Sequence, residues 1–212
     1  MRHFRRRKEE NLLSIYLFTL LTFLWGLVGT PVAISLAQKF RLLDVPGGRK
    51  KHSNIMPRGA GIVLWSGYMI WTLFIGNPGV EIPYVATGAS LIFLVGYMDD
   101  MHPLPPLCRL IFHLFAAAWV TMPLPIPLWQ RALLIFWIAG ATNAYNLIDG
   151  MDGLCLTITL ITALCALMLG GKAVWLPFAG LVFGVLLWNF PHPRTFLGDG
   201  GSTFLGYICA AQ

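Results

Sequence analysis

The sequence predicts an all-α integral membrane protein, a polytopic helical bundle with about seven complete transmembrane helices plus a truncated eighth. Three observations predict it. Of the 212 residues, 57% are hydrophobic and only 11% charged, with a mean hydropathy of +0.68, which excludes an ordinary soluble domain. The few ionisable residues are bunched, leaving uncharged stretches at 11–38, 59–80, 82–98, 110–130, 132–148, 153–171 and 173–193, each 17 residues or longer. These approach the roughly 20 residues that a helix needs to cross a bilayer. Finally, the stretches are apolar all round with no period-2 alternation, which favours helices over a barrel.

Taken in order, a basic N-terminal tail (residues 1–10, MRHFRRRKEE) with five cations precedes the first stretch. That stretch is long and ends in AQKF without a small-residue cleavage site, so it reads as a retained anchor and not a signal peptide. The tail would lie outside if this anchor spans once. The fourth stretch contains MPLPIP (residues 122–127), which must be a loop because prolines at alternate positions cannot stay helical. Its helix should start earlier, near Pro105 or Pro106, where proline suits the first helical position. The eighth stretch begins at Gly200 and meets the chain end at Gln212. Residues 11–212 are thus expected to form a single transmembrane domain. Cys108, Cys155, Cys165 and Cys209 show no CxxC spacing and read as reduced packing residues. We read no GxxxG pair as standing out in a helix centre, and apolar faces leave a homodimer open.

Alternating the stretches places the connections near 39–59, 99–109, 149–152 and 191–199 on one side. That side holds Lys39, Arg41, Arg49, Lys50, Lys51, Arg58, Arg109 and Arg194, whereas the other holds Arg131 and Lys172. The positive-inside rule makes the first side cytoplasmic, and the chain multi-pass in the cell's inner (plasma) membrane.

Only nine acids exist, and Asp44, Asp99, Asp100, Asp149, Asp152 and Asp199 all fall on that cytoplasmic side, near helix ends. A lone Asp at a helix end is ordinarily a cap. Carboxylates returned to one face by separate turns, in a chain almost free of them, point instead to a function. Beside cations that suit phosphate oxygens, they suggest a hard divalent metal, magnesium with manganese as substitute, and phosphoryl transfer at the membrane surface. No GxxxxGK[ST] and no Rossmann glycine fingerprint is present. Glycines next to the acids (Gly150, Gly153, Gly198, Gly200, Gly201) would let backbone approach a ligand closely. A cation transporter is disfavoured because the acids sit near helix ends on one side and not at mid-depth.

Four segments resemble the polyprenyl-phosphate N-acetylhexosamine-1-phosphate transferase family (glycosyltransferase family 4). It includes the enzyme of the first lipid intermediate of peptidoglycan and the initiators of O-antigen and teichoic acid synthesis. They are DVPGGRKKHSNIMPRGAG (residues 44–61), GYMDD (96–100), NAYNLIDGMDGL (143–154) and FLGDGGSTFLG (196–206). The resemblance implies attack of a polyprenyl (undecaprenyl) phosphate on the β-phosphate of a UDP-N-acetylhexosamine, releasing UMP, with magnesium required and no nucleic-acid partner.

By motif position it makes Asn146 and Asp199 the metal ligands. Asp99 would deprotonate or orient the lipid phosphate, and Asp100 would support the metal and phosphate arrangement. Asp149 and Asp152 would line the nucleotide pocket, with Phe196 packed on the uracil. Lys50, Lys51, His52, Arg58 and Arg109 would serve the phosphates, although the first-loop cations are equally what cytoplasmic topology needs. His102, His113 and His192 read as interfacial or packing residues. Two mild departures are Gly59-Ala60-Gly61 where a glycine run is usual, and Gly200 where a small polar residue is common. Family members continue for several more spans and another cytoplasmic loop, so the domain is expected to be incomplete at its C-terminus. The alternative is a truncated, non-catalytic membrane protein that binds polyprenyl phosphate or a partner.

Overall fold

The computed structural model describes residues 2–44, 56–74, 81–171 and 173–212. Among them run eight helices: α1 (Arg2–Lys39), α2 (Ala60–Phe74), α3 (Glu81–Met101), α4 (Pro106–Thr121), α5 (Leu128–Ile148), α6 (Leu154–Met168), α7 (Trp175–Asn189) and α8 (Gly198–Ala211). One helix falls on each uncharged stretch, and MPLPIP is the loop between α4 and α5. Pro105 and Pro127 immediately precede α4 and α5, a place where a missing N–H costs nothing. Two features differ from expectation. The backbone is already helical from Arg2, so the basic tail continues α1. The connection between α1 and α2 contains a two-stranded antiparallel sheet, β1 (Leu43–Asp44) with β2 (Met56–Pro57).

Only Leu13–Lys39 is by itself long and apolar enough to cross a bilayer among the described helices. The 15-residue α6 and α7 rise about 22 Å, against about 30 Å of hydrocarbon. The outer surface nonetheless suits lipid. Leu17, Leu21 and Val28 of α1, Ile111 and Phe115 of α4, and Leu133, Phe136 and Trp137 of α5 are all exposed.

α1 packs along α7 through a pair that the sequence reading passed over. Gly180 and Gly184, in GLVFG, form a GxxxG on α7, correcting the view that none stands out. A Cβ on Gly184 would lie 2.8 Å from the Leu27 nitrogen, and one on Gly180 would lie 2.7 Å from the Thr19 oxygen. Backbone therefore meets backbone, as small-residue crossings allow. Pro31 lies inside α1 and cannot donate to the Leu27 carbonyl four residues back. The Trp188 indole of α7 supplies that hydrogen bond instead, at 2.9 Å.

α8 is the hub, with every residue from Gly200 to Ile208 buried. Its glycines admit three neighbours. A Cβ on Gly96 of α3 would come 2.6 Å from Gly200 Cα, and one on Gly61 of α2 would come 2.8 Å from Gly201 Cα. On the far side a Cβ on Gly206 would meet Tyr145 of α5 at 2.8 Å. These approaches also explain the two departures in the motifs. Gly59 and Gly61 are the positions pressed against backbone, while Ala60 between them is simply buried. Gly200 carries no side chain because one would meet the Tyr97 nitrogen at 3.0 Å.

Candidate active site

The four connections expected on one side do meet. The chain before α8 lies against β2, since the Phe196 N–H donates to the Pro57 carbonyl (2.9 Å) and Arg58 and Phe196 form a parallel bridge. Asn189 at the end of α7 holds the turn before α6, accepting from the Gly153 N–H (2.8 Å) and donating to the Thr195 carbonyl (2.7 Å). Thr195 in turn donates to the Pro57 carbonyl at 3.0 Å. Gly153 adopts φ +72°, a conformation that favours glycine, and lets the DGMDG turn double back beneath Phe190.

On this frame the acids converge. Asp99 and Asp100 sit in the last turn of α3, Asp199 in the first turn of α8, and Asp149 caps the C-terminus of α5. All four lie just beyond the uncharged stretches. A single guanidinium nitrogen of Arg109, Nη1, donates to Asp99 Oδ2 (2.7 Å) and to Asp199 Oδ2 (3.0 Å). The Leu104 N–H also donates to Asp99. Asp100 does different work: its two oxygens accept the backbone N–H groups of Asp199 (3.0 Å) and Gly200 (3.1 Å), capping α8 from another helix. Gly198 just before them has φ +73°, and any Cβ there would strike the Asp100 carboxylate. Arg58 Nη1 donates to Asp100 (3.1 Å), while its Nη2 donates to Asp44.

Asn146 lies beside Asp199, close enough to favour its ionised form, and its Oδ1 accepts from Ser202 at 2.8 Å. Its amide oxygen would have to exchange Ser202 for a metal. Asp152 is exposed in the turn, close enough to Asp149 to oppose its ionisation. Phe196 is half-buried and contributes its backbone to the frame. Lys50, Lys51 and His52 lie outside the described residues. His113 is a buried residue, while His102 and His192 are exposed, in keeping with packing and interfacial positions. Sequence reasoning missed Asn189, Thr195 and Ser202 as structural members of the site. A buried Asn at the end of an apolar helix was the available signal for the first.

Among the described residues, the electrostatics are those of a site with more carboxylates than cations. Burial pushes Asp199 up, Asp99 beside it adds to the effect, and the carboxyl reaches about 7. Burial also raises Asp100, against the opposing pull of two amides and Arg58. Asp149 is held well above the usual carboxylate range by burial and then by Asp199 and Asp100. Asp99 goes the other way: burial would raise it, but hydrogen bonds from Asp199, the Leu104 amide and Arg109 outweigh that and lower it.

Among the described residues, Arg58 pairs with Asp44 and Asp100, Arg109 pairs with Asp99 and Asp199, and Asp149 lies near enough to Arg58 to feel its charge. The donor set is all oxygen, with two carboxylates converging on one point and an amide alongside. That chemistry fits a hard divalent cation, and Asp199, whose side chain is 35% exposed, is the carboxylate open to it.

A family model described as glycosyl transferase family 4 matches residues 82–212. The chain is 30% identical to the probable undecaprenyl-phosphate N-acetylglucosaminyl 1-phosphate transferase of Bacillus subtilis, over 94% of this chain and 62% of that protein. It is 29% identical to the undecaprenyl-phosphate alpha-N-acetylglucosaminyl 1-phosphate transferase of Thermotoga maritima, over 86% and 60% respectively. The Escherichia coli K12 protein of the same name is 26% identical, over 94% and 60%. The chain thus spans 60 to 62% of the length of these relatives.

Proposed function

Because the chain belongs to glycosyl transferase family 4, we propose that it carries the reaction centre of a membrane enzyme transferring N-acetylglucosamine 1-phosphate, or a close N-acetylhexosamine analogue, to polyprenyl phosphate. The donor is a UDP-sugar and UMP leaves. The relatives' names support the acceptor and the transferred group. The observation that carries the reading is the meeting of Asp99, Asp199 and Arg109 at one nitrogen, where α3, α4 and α8 come together.

Asp199, with Asp99 and the Asn146 amide beside it, would hold magnesium, which supplies charge to neutralise the donor diphosphate. Asp99, held ionised by Arg109 and the Leu104 amide, would orient or deprotonate the lipid phosphate for attack on the β-phosphorus. Arg109 faces the same point and is placed to contact phosphate oxygens as negative charge shifts to the leaving UMP. Asp149 and Asp152, in the turn that Asn189 braces, would meet the nucleotide, with Phe196 against the base. The chain would cross the plasma membrane several times, its site facing the cytoplasm, and would initiate a cell-envelope polysaccharide.

The test is incorporation of labelled sugar phosphate from UDP-N-acetylglucosamine into organic-extractable lipid, with UMP release, by the purified chain with polyprenyl phosphate and magnesium. Asp199→Asn and Asp99→Asn should each lower the rate by about 100-fold or more, the scale on which a group stabilising transition-state charge acts. Near wild-type rates in both variants would overturn the assignment.

A further inference from the structure

We infer that Arg58 is a positioning residue, anchored by Asp44, that sets the place of Asp199 through Asp100 and does not bind the donor phosphates. Both terminal nitrogens of its guanidinium are committed to carboxylates, Nη2 to Asp44 and Nη1 to Asp100. Those two side chains are only 8% and 7% exposed, so the arginine is a counter-charge shared by two buried acids, and drawing it away towards a ligand would cost both of them that ion pair.

Its backbone is held as firmly. The Arg58 N–H donates to the Leu42 carbonyl at 2.9 Å, extending the β1–β2 pairing, and on its other side the residue bridges to Phe196. Asp100, fixed by Arg58, takes the first free N–H groups of α8 on both its oxygens, and one of those belongs to Asp199. A continuous line therefore runs from Asp44 to Arg58 to Asp100 to the backbone of Asp199. Arg109 is built differently. Among the described residues it engages carboxylates through Nη1 alone, which leaves the rest of its fork for a ligand. The two arginines divide the work: Arg58 holds the frame and Arg109 faces the chemistry.

The kinetic arm of the test rests on the transferase reading, and the exchange arm does not. Asp44→Asn and Arg58→Lys, each made in the full chain, should lower kcat by about 10- to 100-fold through displacement of Asp199. The donor KM should stay within about twofold in both. The double variant should be no worse than the more affected single, because both break one line. Hydrogen exchange should quicken in a peptide covering residues 197–203 in each variant, with the other helices unchanged. A tenfold rise in donor KM for Arg58→Lys, with Asp44→Asn behaving as wild type, would make Arg58 a phosphate ligand and overturn the inference. Unchanged exchange at residues 197–203, or exchange quickened throughout the bundle, would overturn it too. Should the wild-type chain not turn over at all, the transferase reading fails and the exchange result decides alone.

Discussion

Arg109 donates to Asp199 at 3.0 Å from the same nitrogen that lies 2.7 Å from Asp99, so a cation of the protein's own stands between the two carboxylates. A divalent metal drawn to that point competes with it. Arg109→Gln should therefore tighten Mn²⁺ binding by about tenfold, equivalent to about 1.4 kcal/mol, while lowering turnover through loss of the phosphate contact. Electron paramagnetic resonance titration of free Mn²⁺ reads the first effect and lipid incorporation the second. Weaker Mn²⁺ binding in the variant would mean that Arg109 orders the carboxylates for the metal and does not oppose it.

The crossing of α3 and α8 should be intolerant of a methyl group. A Cβ on Gly96 would lie 2.6 Å from both the Asp199 carbonyl oxygen and Gly200 Cα, and backbone atoms have no rotamer through which to retreat. Gly96→Ala should cost about 1–3 kcal/mol, the ordinary penalty of overpacking, and should shift Asp199 along with the helix. Gly140→Ala on α5 is the control, because nothing lies within 4 Å of its added carbon. Thermal unfolding in detergent should separate the two. Equal midpoints would show that the helices part easily.

Asp149 should make the metal-free protein less stable at alkaline pH. Burial and the neighbouring Asp199 and Asp100 raise its carboxyl well above the ordinary 3.8. The folded state thus favours the protonated form. Its contribution to stability is full below the ordinary value and is lost as pH climbs through the raised one. Asp149→Asn removes that loss, so its unfolding midpoint should match wild type near pH 4 and exceed it above neutrality, by about 2–4 °C for each kcal/mol relieved. A difference of the same size at both pH values would assign the effect to packing.

How much of this was legible in the sequence depends on what each feature needs. The sidedness of the acids was readable because charge in an apolar chain is confined to the connections, and alternation then sorts connections into faces. The separate duties of Asp99 and Asp100 were not. Adjacent in GYMDD, they point to different partners only because the last turn of α3 meets the start of α8 at a glycine contact that joins segments about a hundred residues apart. Asp44 and Arg58 were both noticed, one as an acid of the cytoplasmic face and the other as a phosphate ligand. Their pairing depends on a two-residue strand too short to leave a periodic signal. The GxxxG of α7 was in plain view, but its meaning lay in Pro31 and Gly26 on a helix some 150 residues earlier, where a kink-prone carbonyl and a small residue wait for Trp188 and Gly184.

The topology is open to a direct measurement. His192 is exposed in the connection between α7 and α8, on the proposed cytoplasmic face, and Met122 is exposed in the loop after α4, on the opposite one. The four native cysteines are free thiols, Cys155 buried and Cys165 exposed on a face that suits lipid, and they can be replaced by alanine or serine to give a silent background. In that background a membrane-impermeant maleimide applied to intact cells should label Met122→Cys and leave His192→Cys unmodified until the membrane is opened. The connections favour this result, with eight cations on one set against two on the other, and the five cations of the basic N-terminal tail, which would lie outside if α1 spans once, are the charge that pulls against it. Labelling of both positions from outside would place α5, α6 and α7 in an arrangement that does not return the chain across the membrane. The meeting of Asp99 with Asp199 would then have to be built within one leaflet.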